Sequence, residues 1–523
     1  MQSPSEYRST AHDGPLGETR SPTPAGGAAD DDGTQLYTRR WAVLALFALL
    51  SFSNAVMWIT FSPISSIVGE WYDKSDFLVN CLSMVYMAVY IPLVFASGWI
   101  FDRPGGLRSG TIWGALLNAA GAWIRYGGKA ASGFAILMAG QAVASVAQTF
   151  ILGVPALLAA TWFGPKERST ATGLGVLANQ VGIAFGMVLS PQVVDVGGDL
   201  GNYLLAQAIA CTAIAVGICV LFSGNPPKPP SQAAAKQLQQ QQARSHHGTQ
   251  ANFSHESLHK LSDHDHHDHH DHHDDEMIHD PIAARRALIG VTAHSAAPLS
   301  QSTQLLSPTA PSDGMGYIQG VLHCLKDRDF VLLLLAYGIN VGVFYAVTTL
   351  LNQILTPRFP GEEVQFGWIG FVVVVSGLAG SVLSGVYLDR TGRFQLTTMV
   401  IYLSTTIGMV FFSLAVEYTG LAPIYVASGF LGFFVTALLP VGFEYAAEIS
   451  FPVAESTSSG LVNCISQVFG IVLIVGIGEL QNSVGVSAGN WLLTGALGLG
   501  LAAMYLTREQ LRRRQVDKTF AIQ

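Results

Sequence analysis

The chain has 523 residues, half of them hydrophobic and only 12% charged, with a mean hydropathy of +0.38. That balance excludes an ordinary water-soluble domain and indicates a polytopic membrane protein. The formal net charge of −8 owes much to acid in two polar tracts, and the five cysteines (Cys81, Cys211, Cys219, Cys324 and Cys464) show the spacing of neither a disulfide framework nor a metal site.

Residues 1–40, rich in Ser, Pro, Gly and Asp, are expected to form a disordered cytoplasmic tail. Apolar segments of about 20 residues or more then recur twelve times. The first six fall at 41–68, 77–101, 107–127, 132–160, 168–192 and 201–222, which makes 41–222 one six-helix bundle. The second six fall at 329–356, 366–388, 395–416, 421–447, 455–480 and 488–507, inside a second bundle over 328–507. Each segment is too long for a barrel strand, and a lipid-exposed backbone must satisfy its own hydrogen bonds, so each is predicted to be a helix.

Between the bundles, 223–327 changes composition abruptly. It opens with N-P-P-K-P-P, passes the run Gln239–Gln242 and reaches H-D-H-H-D-H-H-D-H-H-D-D-E at 264–276. Such a stretch buries no core and reads as a disordered cytoplasmic linker, a solvated low-complexity expansion. His266, His267, His269 and His270, interleaved with aspartates, are nevertheless ordinary metal-ligand types. A basic tail, 508–523, follows the last helix. Arg39, Arg40, Arg103, Arg108, Arg390 and Arg393 crowd one side of the predicted bundle, against Lys74, Arg125, Lys129 and Arg358 on the other. That asymmetry puts both termini and the linker in the cytoplasm.

The two halves repeat at an offset of 287 residues. Pro-x-x-x-Ser-Thr-x-[Ser/Thr]-Gly-Leu followed, after five intervening residues, by Gln-Val fits both 165–181 and 452–468. Gly98-x-x-x-Asp102-Arg103-x-Gly105 recurs as Gly385-x-x-x-Asp389-Arg390-x-Gly392. These motifs resemble the major facilitator superfamily. The resemblance implies an all-α membrane protein with twelve transmembrane helices in two pseudo-symmetric six-helix bundles. It also implies that Gly98, Asp102, Arg103, Asp389 and Arg390 form a conformational lock between the halves on the cytoplasmic side. The first copy departs from the pattern, with Pro104 in the loop and Gly106 where the second copy has Arg393, so its half of the lock is expected to be weaker.

In that architecture the site lies near the bilayer midplane between the halves. The predicted lining is Asn54, Trp58 and Gln148 from the first half and Asn340 and Tyr345 from the second, with Gln180 and Gln467 on the fifth helix of each half. Trp58 and Tyr345 are related by the same offset of 287. The first, fourth and seventh helices carry no Asp, Glu, Lys, Arg or His well inside the span, no helix has an interior His, and Glu444 is the one acid expected within the tenth. An uncharged cavity with two aromatics and several amides suits a quaternary ammonium, which aromatic faces attract and which donates no hydrogen bond. Its hydroxyl would be met by Gln148, Gln180 or Gln467. Without a buried carboxylate to relay protons, a facilitator driven by the substrate gradient is expected.

Longer runs narrow the resemblance. S-N-A-x-x-W (53–58), L-S-M-x-Y-M (82–87), S-V-A-Q-x-F-I-L-G-x-P (145–155), Y-G-I-N-V-G-V-F-Y-A-V-x-T-L-L-N (337–352) and S-Q-V-F-G-I (466–471) are similar to the feline leukaemia virus subgroup C receptor family. This implies facilitated transport of choline and related amines such as ethanolamine, haem export being a second activity assigned to members. It implies a cation–π pair at Trp58 and Tyr345, assisted by Gln148 and Gln467, with Met87 nearby. Against haem, which favours His, Cys, Met or Tyr on its iron, stands a core without His. The histidine-rich linker lies outside the family pattern and leaves a metal-responsive receptor as a third alternative. No nucleotide loop, nucleophile elbow or pair of catalytic carboxylates points to an enzyme, and no cofactor or nucleic acid is expected. The expected partners are a small amine and the lipid bilayer, with the chain acting as a monomer in the plasma membrane.

Overall fold

The computed structural model describes residues 35–101, 103, 105–164, 167–230, 317–453, 455–509 and 512, and the regular elements among them are helical. The first half contains α1 (Arg39–Ile59), α2 (Ser65–Tyr72), α3 (Asp76–Phe101), α4 (Gly106–Gly127), α5 (Phe134–Thr149), α6 (Val154–Trp162), α7 (Arg168–Val193) and α8 (Leu200–Leu221). The second contains α9 (Tyr317–Lys326), α10 (Arg328–Leu355), α11 (Glu363–Thr391), α12 (Phe394–Tyr418), α13 (Leu421–Ser450), α14 (Glu455–Ser483) and α15 (Val486–Leu506). Ten helices among the described residues are long and apolar enough to cross a membrane, and α5 with α6 forms an eleventh span bent by 40°. The 22-residue α4 takes the remaining place in the repeat, its hydropathy lowered by glycines and by Arg108 and Arg125.

The offset of 287 survives in three dimensions. It carries the first residue of α3, Asp76, onto that of α11, Glu363; Phe134 of α5 onto Leu421 of α13; and Arg168 of α7 onto Glu455 of α14. The loop glycines of the two motifs, Gly105 and Gly392, also correspond, and both hold a left-handed backbone at φ +74° and +63°. A side chain there meets strain from its own Cβ. Gly392→Ala is therefore expected to cost about 1–2 kcal/mol and to lower the thermal unfolding midpoint of the purified protein. Gly385→Ala, in ordinary helix with nothing within 4 Å of the added carbon, is the neutral control. Equal midpoints for the two variants would refute the strain argument.

Three expected segments differ. The run 41–68 is not one helix: α1 ends at Ile59, Pro63 interrupts the chain and α2 starts afresh at Ser65, because proline lacks the donor that would continue the ladder. The run 132–160 breaks between α5 and α6, where Gly153 precedes Pro155 in the first turn of α6. The linker expectation over 223–327 is corrected at its end, since residues 317–326 form α9. That helix buries Cys324 beneath exposed Leu322, His323 and Leu325, and burial pushes the Cys324 thiol up to about 11, with the nearby Asp327 adding to the shift. Asp327 caps α10, accepting from the backbone N–H groups of Asp329 and Phe330, and pairs with Arg512 at 2.7 Å.

Candidate substrate site

One face of α3 carries Asn80, Ser83, Met84 and Met87, spaced three and four residues apart and hence stacked along one stripe. The stripe faces inward, and all four residues are buried. Ser83 offers its carbonyl to the indole N–H of Trp58 at 3.3 Å, which fixes the plane of that ring. Trp58 sits at the end of α1, buried, with its ring centroid 5.7 Å from that of Tyr345 on α10 and the planes at 76°. Gln467 of α14 donates to the Tyr345 hydroxyl at 3.3 Å. Gly470, one turn along α14, lets Met87 and Tyr345 close in: an added methyl there would lie 2.9 Å from the Met87 sulphur and 2.9 Å from the tyrosine ring.

Four of the residues singled out from the sequence, Trp58, Tyr345, Met87 and Gln467, thus meet where the halves join. The rings meet edge to face rather than as parallel plates. Such a pair makes a corner whose two walls are ring faces. Gln148, in the last turn of α5 before the bend, and Gln180 on α7 stand on helices packed against α1. The side-chain carbonyl oxygen of each is buried and has no hydrogen-bond partner among the described residues. These are acceptors held ready for a donor.

Of the other expected lining residues, Asn54 faces its own bundle. Asn54 is fully buried and donates to Asn118 at 2.9 Å and to the Ala144 carbonyl at 3.1 Å, so it ties α1 to α4 and α5 instead of facing a cavity. Asn340 is likewise fully buried, with neither amide atom partnered among the described residues. Glu444 is exposed near the end of α13 that lies towards the termini, while Glu448, one turn further, is the buried acid of that helix. Arg125, counted from sequence as a helix-end charge, is fully buried.

At the end remote from the termini, hydrogen bonds close one half onto the other. Ser62 donates to the carbonyls of Thr348 and Thr349, the latter at 2.8 Å. Asn352 donates to the Pro63 carbonyl at 2.9 Å and accepts from Ser65 at 3.1 Å. Asn80 and Gln353 exchange two bonds, at 2.9 and 3.1 Å. Ser66 donates to Glu363. The break between α1 and α2 is what frees these serines to reach α10 and α11.

At the opposite end, the described part of the expected lock includes Arg103, which is exposed. That side chain stacks on Trp99 of its own half, 3.4 Å from the ring centroid, because an exposed guanidinium finds a flat aromatic face next to it. Gly98 is exposed with nothing near its Cα hydrogen side, and Arg390 is exposed. Asp102, the side chain of Asp389, and His266, His267, His269 and His270 lie outside the described residues.

Comparison with known proteins agrees with this architecture. The sequence pattern of the Major Facilitator Superfamily matches residues 47–475. The chain is 34% identical over 493 residues to "Choline/ethanolamine transporter flvcr2b" of Danio rerio, covering 93% of this chain and 87% of that one. It is 33% identical over 487 residues to "Choline/ethanolamine transporter FLVCR2" of Homo sapiens (92% and 79%) and 35% identical over 493 residues to "Choline/ethanolamine transporter FLVCR1" of Felis catus (92% and 75%). Among solved structures, the E. coli fucose:proton symporter FucP shares the fold at a TM-score of 0.53 and 10% identity, over 90% of this chain and all of that one. The chain is an integral membrane protein of the Major Facilitator Superfamily and, within it, belongs to the feline leukaemia virus subgroup C receptor family.

Proposed function

We propose that the protein carries choline and related small amines such as ethanolamine across the membrane by alternating access, running down the substrate gradient. The observation that carries this reading is the Trp58–Tyr345 corner at 5.7 Å, contributed by both halves, with Trp58 buried and Tyr345 half-buried. A trimethylammonium group binds the faces of both rings, Trp being the strongest single partner. The choline hydroxyl then donates to an amide oxygen of Gln148 or Gln180, and the primary ammonium of ethanolamine uses the same acceptors with its N–H groups. Gln467 holds Tyr345 in place through its hydroxyl. The relatives named as choline/ethanolamine transporters support the same substrate class.

Closure by Ser62, Asn352 and the Asn80–Gln353 pair corresponds to one end-state of the cycle, and opening those bonds admits substrate from that side. By the positive-inside asymmetry the closed end is extracellular, both termini are cytoplasmic, and the carrier works as a monomer in the plasma membrane. Purified full-length protein in vesicles should take up labelled choline saturably without an imposed proton gradient, with ethanolamine competing and haem excluded. Haem uptake without choline uptake would overturn the reading in favour of the haem alternative.

A further inference from the structure

Arg125 sits two residues before the end of α4 and is completely enclosed. A guanidinium stays charged under burial, and an enclosed charge without a partner is strongly unfavourable. The position is nevertheless built for it. Gly140 of α5 has no side chain where the Arg125 stem passes; an added methyl there would lie 2.7 Å from its Cγ. The head lies over Phe61, with Cζ 4.9 Å from the ring centroid. Nε, Nη1 and Nη2 all lack a hydrogen-bond partner among the described residues.

The titratable groups acting on it electrostatically are Tyr86, Cys211, Tyr203 and Tyr72, none of them a carboxylate. Tyr72 is committed to the Gly128 carbonyl and Tyr203 to Ser190. Tyr86 is also fully buried, and its hydroxyl is unpartnered among the described residues. The geometry points to a binding site for a small monovalent inorganic anion of the chloride class, held by the Arg125 guanidinium and the Tyr86 hydroxyl inside the first bundle. One positive charge selects a monovalent ion. Full enclosure selects an ion that sheds its water readily, which favours a halide over a carboxylate or phosphate. Water alone would occupy the N–H groups without balancing the charge.

The site stands on its own, but its effect on transport rests on the amine reading. Arg125 and Trp58 lie in the same half, so an unbalanced guanidinium there repels a cation held at Trp58. A bound anion removes that repulsion, so choline affinity should also rise with chloride.

The test uses purified full-length protein without amine, so it does not depend on the transport reading. Thermal unfolding is followed while sodium chloride replaces sodium gluconate at constant ionic strength. The wild-type midpoint should rise saturably, by about 3 °C, and bromide should substitute. Arg125→Gln should abolish the response. Tyr86→Phe keeps the packing and should raise the half-saturating chloride concentration about tenfold, as expected for loss of a hydrogen bond to a charge. Should Arg125→Gln fail to fold, Tyr86→Phe decides alone. Equal wild-type midpoints in chloride and gluconate, or a Tyr86→Phe response identical to wild type, would overturn the proposal.

Discussion

Replacing Trp58 or Tyr345 by alanine is expected to weaken choline binding about thirtyfold. A desolvated cation–π contact is worth about 2 kcal/mol, and about 1.4 kcal/mol is tenfold in affinity. Both rings are held from behind, Trp58 by the Ser83 carbonyl and Tyr345 by Gln467, so little of that energy is lost in ordering them. Tyr345→Phe keeps the ring face and loses only the bond from Gln467, so its loss should be several-fold at most. Because the rings touch, the double variant should lose less than the two single losses combined. Choline affinity of the purified variants measures all four. Normal binding by Trp58→Ala would remove the amine site from this corner.

Asn352→Leu should release the closed end. Asn352 serves the Pro63 carbonyl, Ser65, Ser66 and Thr356 at once, and leucine of similar volume leaves the buried Pro63 carbonyl and Ser65 hydroxyl without that partner. Each such group costs about 1–3 kcal/mol. A net bias of about 2.7 kcal/mol shifts the equilibrium towards the state open at that end roughly a hundredfold. A cysteine introduced at Thr348, now almost inaccessible at 1% exposure, reports this through its labelling rate with a membrane-impermeant thiol reagent. Labelling should accelerate by roughly ten- to a hundredfold relative to the same cysteine in the Asn352 parent. An unchanged rate in a folded variant would mean that the serine and asparagine bonds do not hold that end shut.

The repeat was legible because a fixed offset needs no knowledge of helix faces, and it brought Trp58 and Tyr345 forward together. What it could not give was direction around each helix. Asn54 and Trp58 are one turn apart, yet the first points into its own bundle and the second towards the other half. The break after Ile59 was hidden because Phe61, Ile64, Ile67 and Val68 keep the segment apolar through the turn. Arg125 was misread because distance from the end of an apolar run was taken as exposure, whereas the glycines of α4 and α5 bring those helices close enough to enclose it. The serines of the closed end carry no signal in sequence at all, since Ser62, Ser65 and Ser66 acquire meaning only when α10 lies opposite.

The stripe on α3 acts as a ruler. From Asn80 to Met87 is two helical turns, about 10 Å along a rod that does not stretch. One end of the ruler touches Gln353 at the closed mouth, the middle orients Trp58, and at the other end Met87 closes in on Gly470 beside Tyr345. On the proposed amine reading, a cation that spreads the two rings pushes on Met87 or on the Ser83 carbonyl, and a rigid α3 carries that push to Asn80. On that reading loading and mouth opening share one mechanical coordinate, which is the condition for a device that counts molecules across one at a time instead of leaking them in a stream.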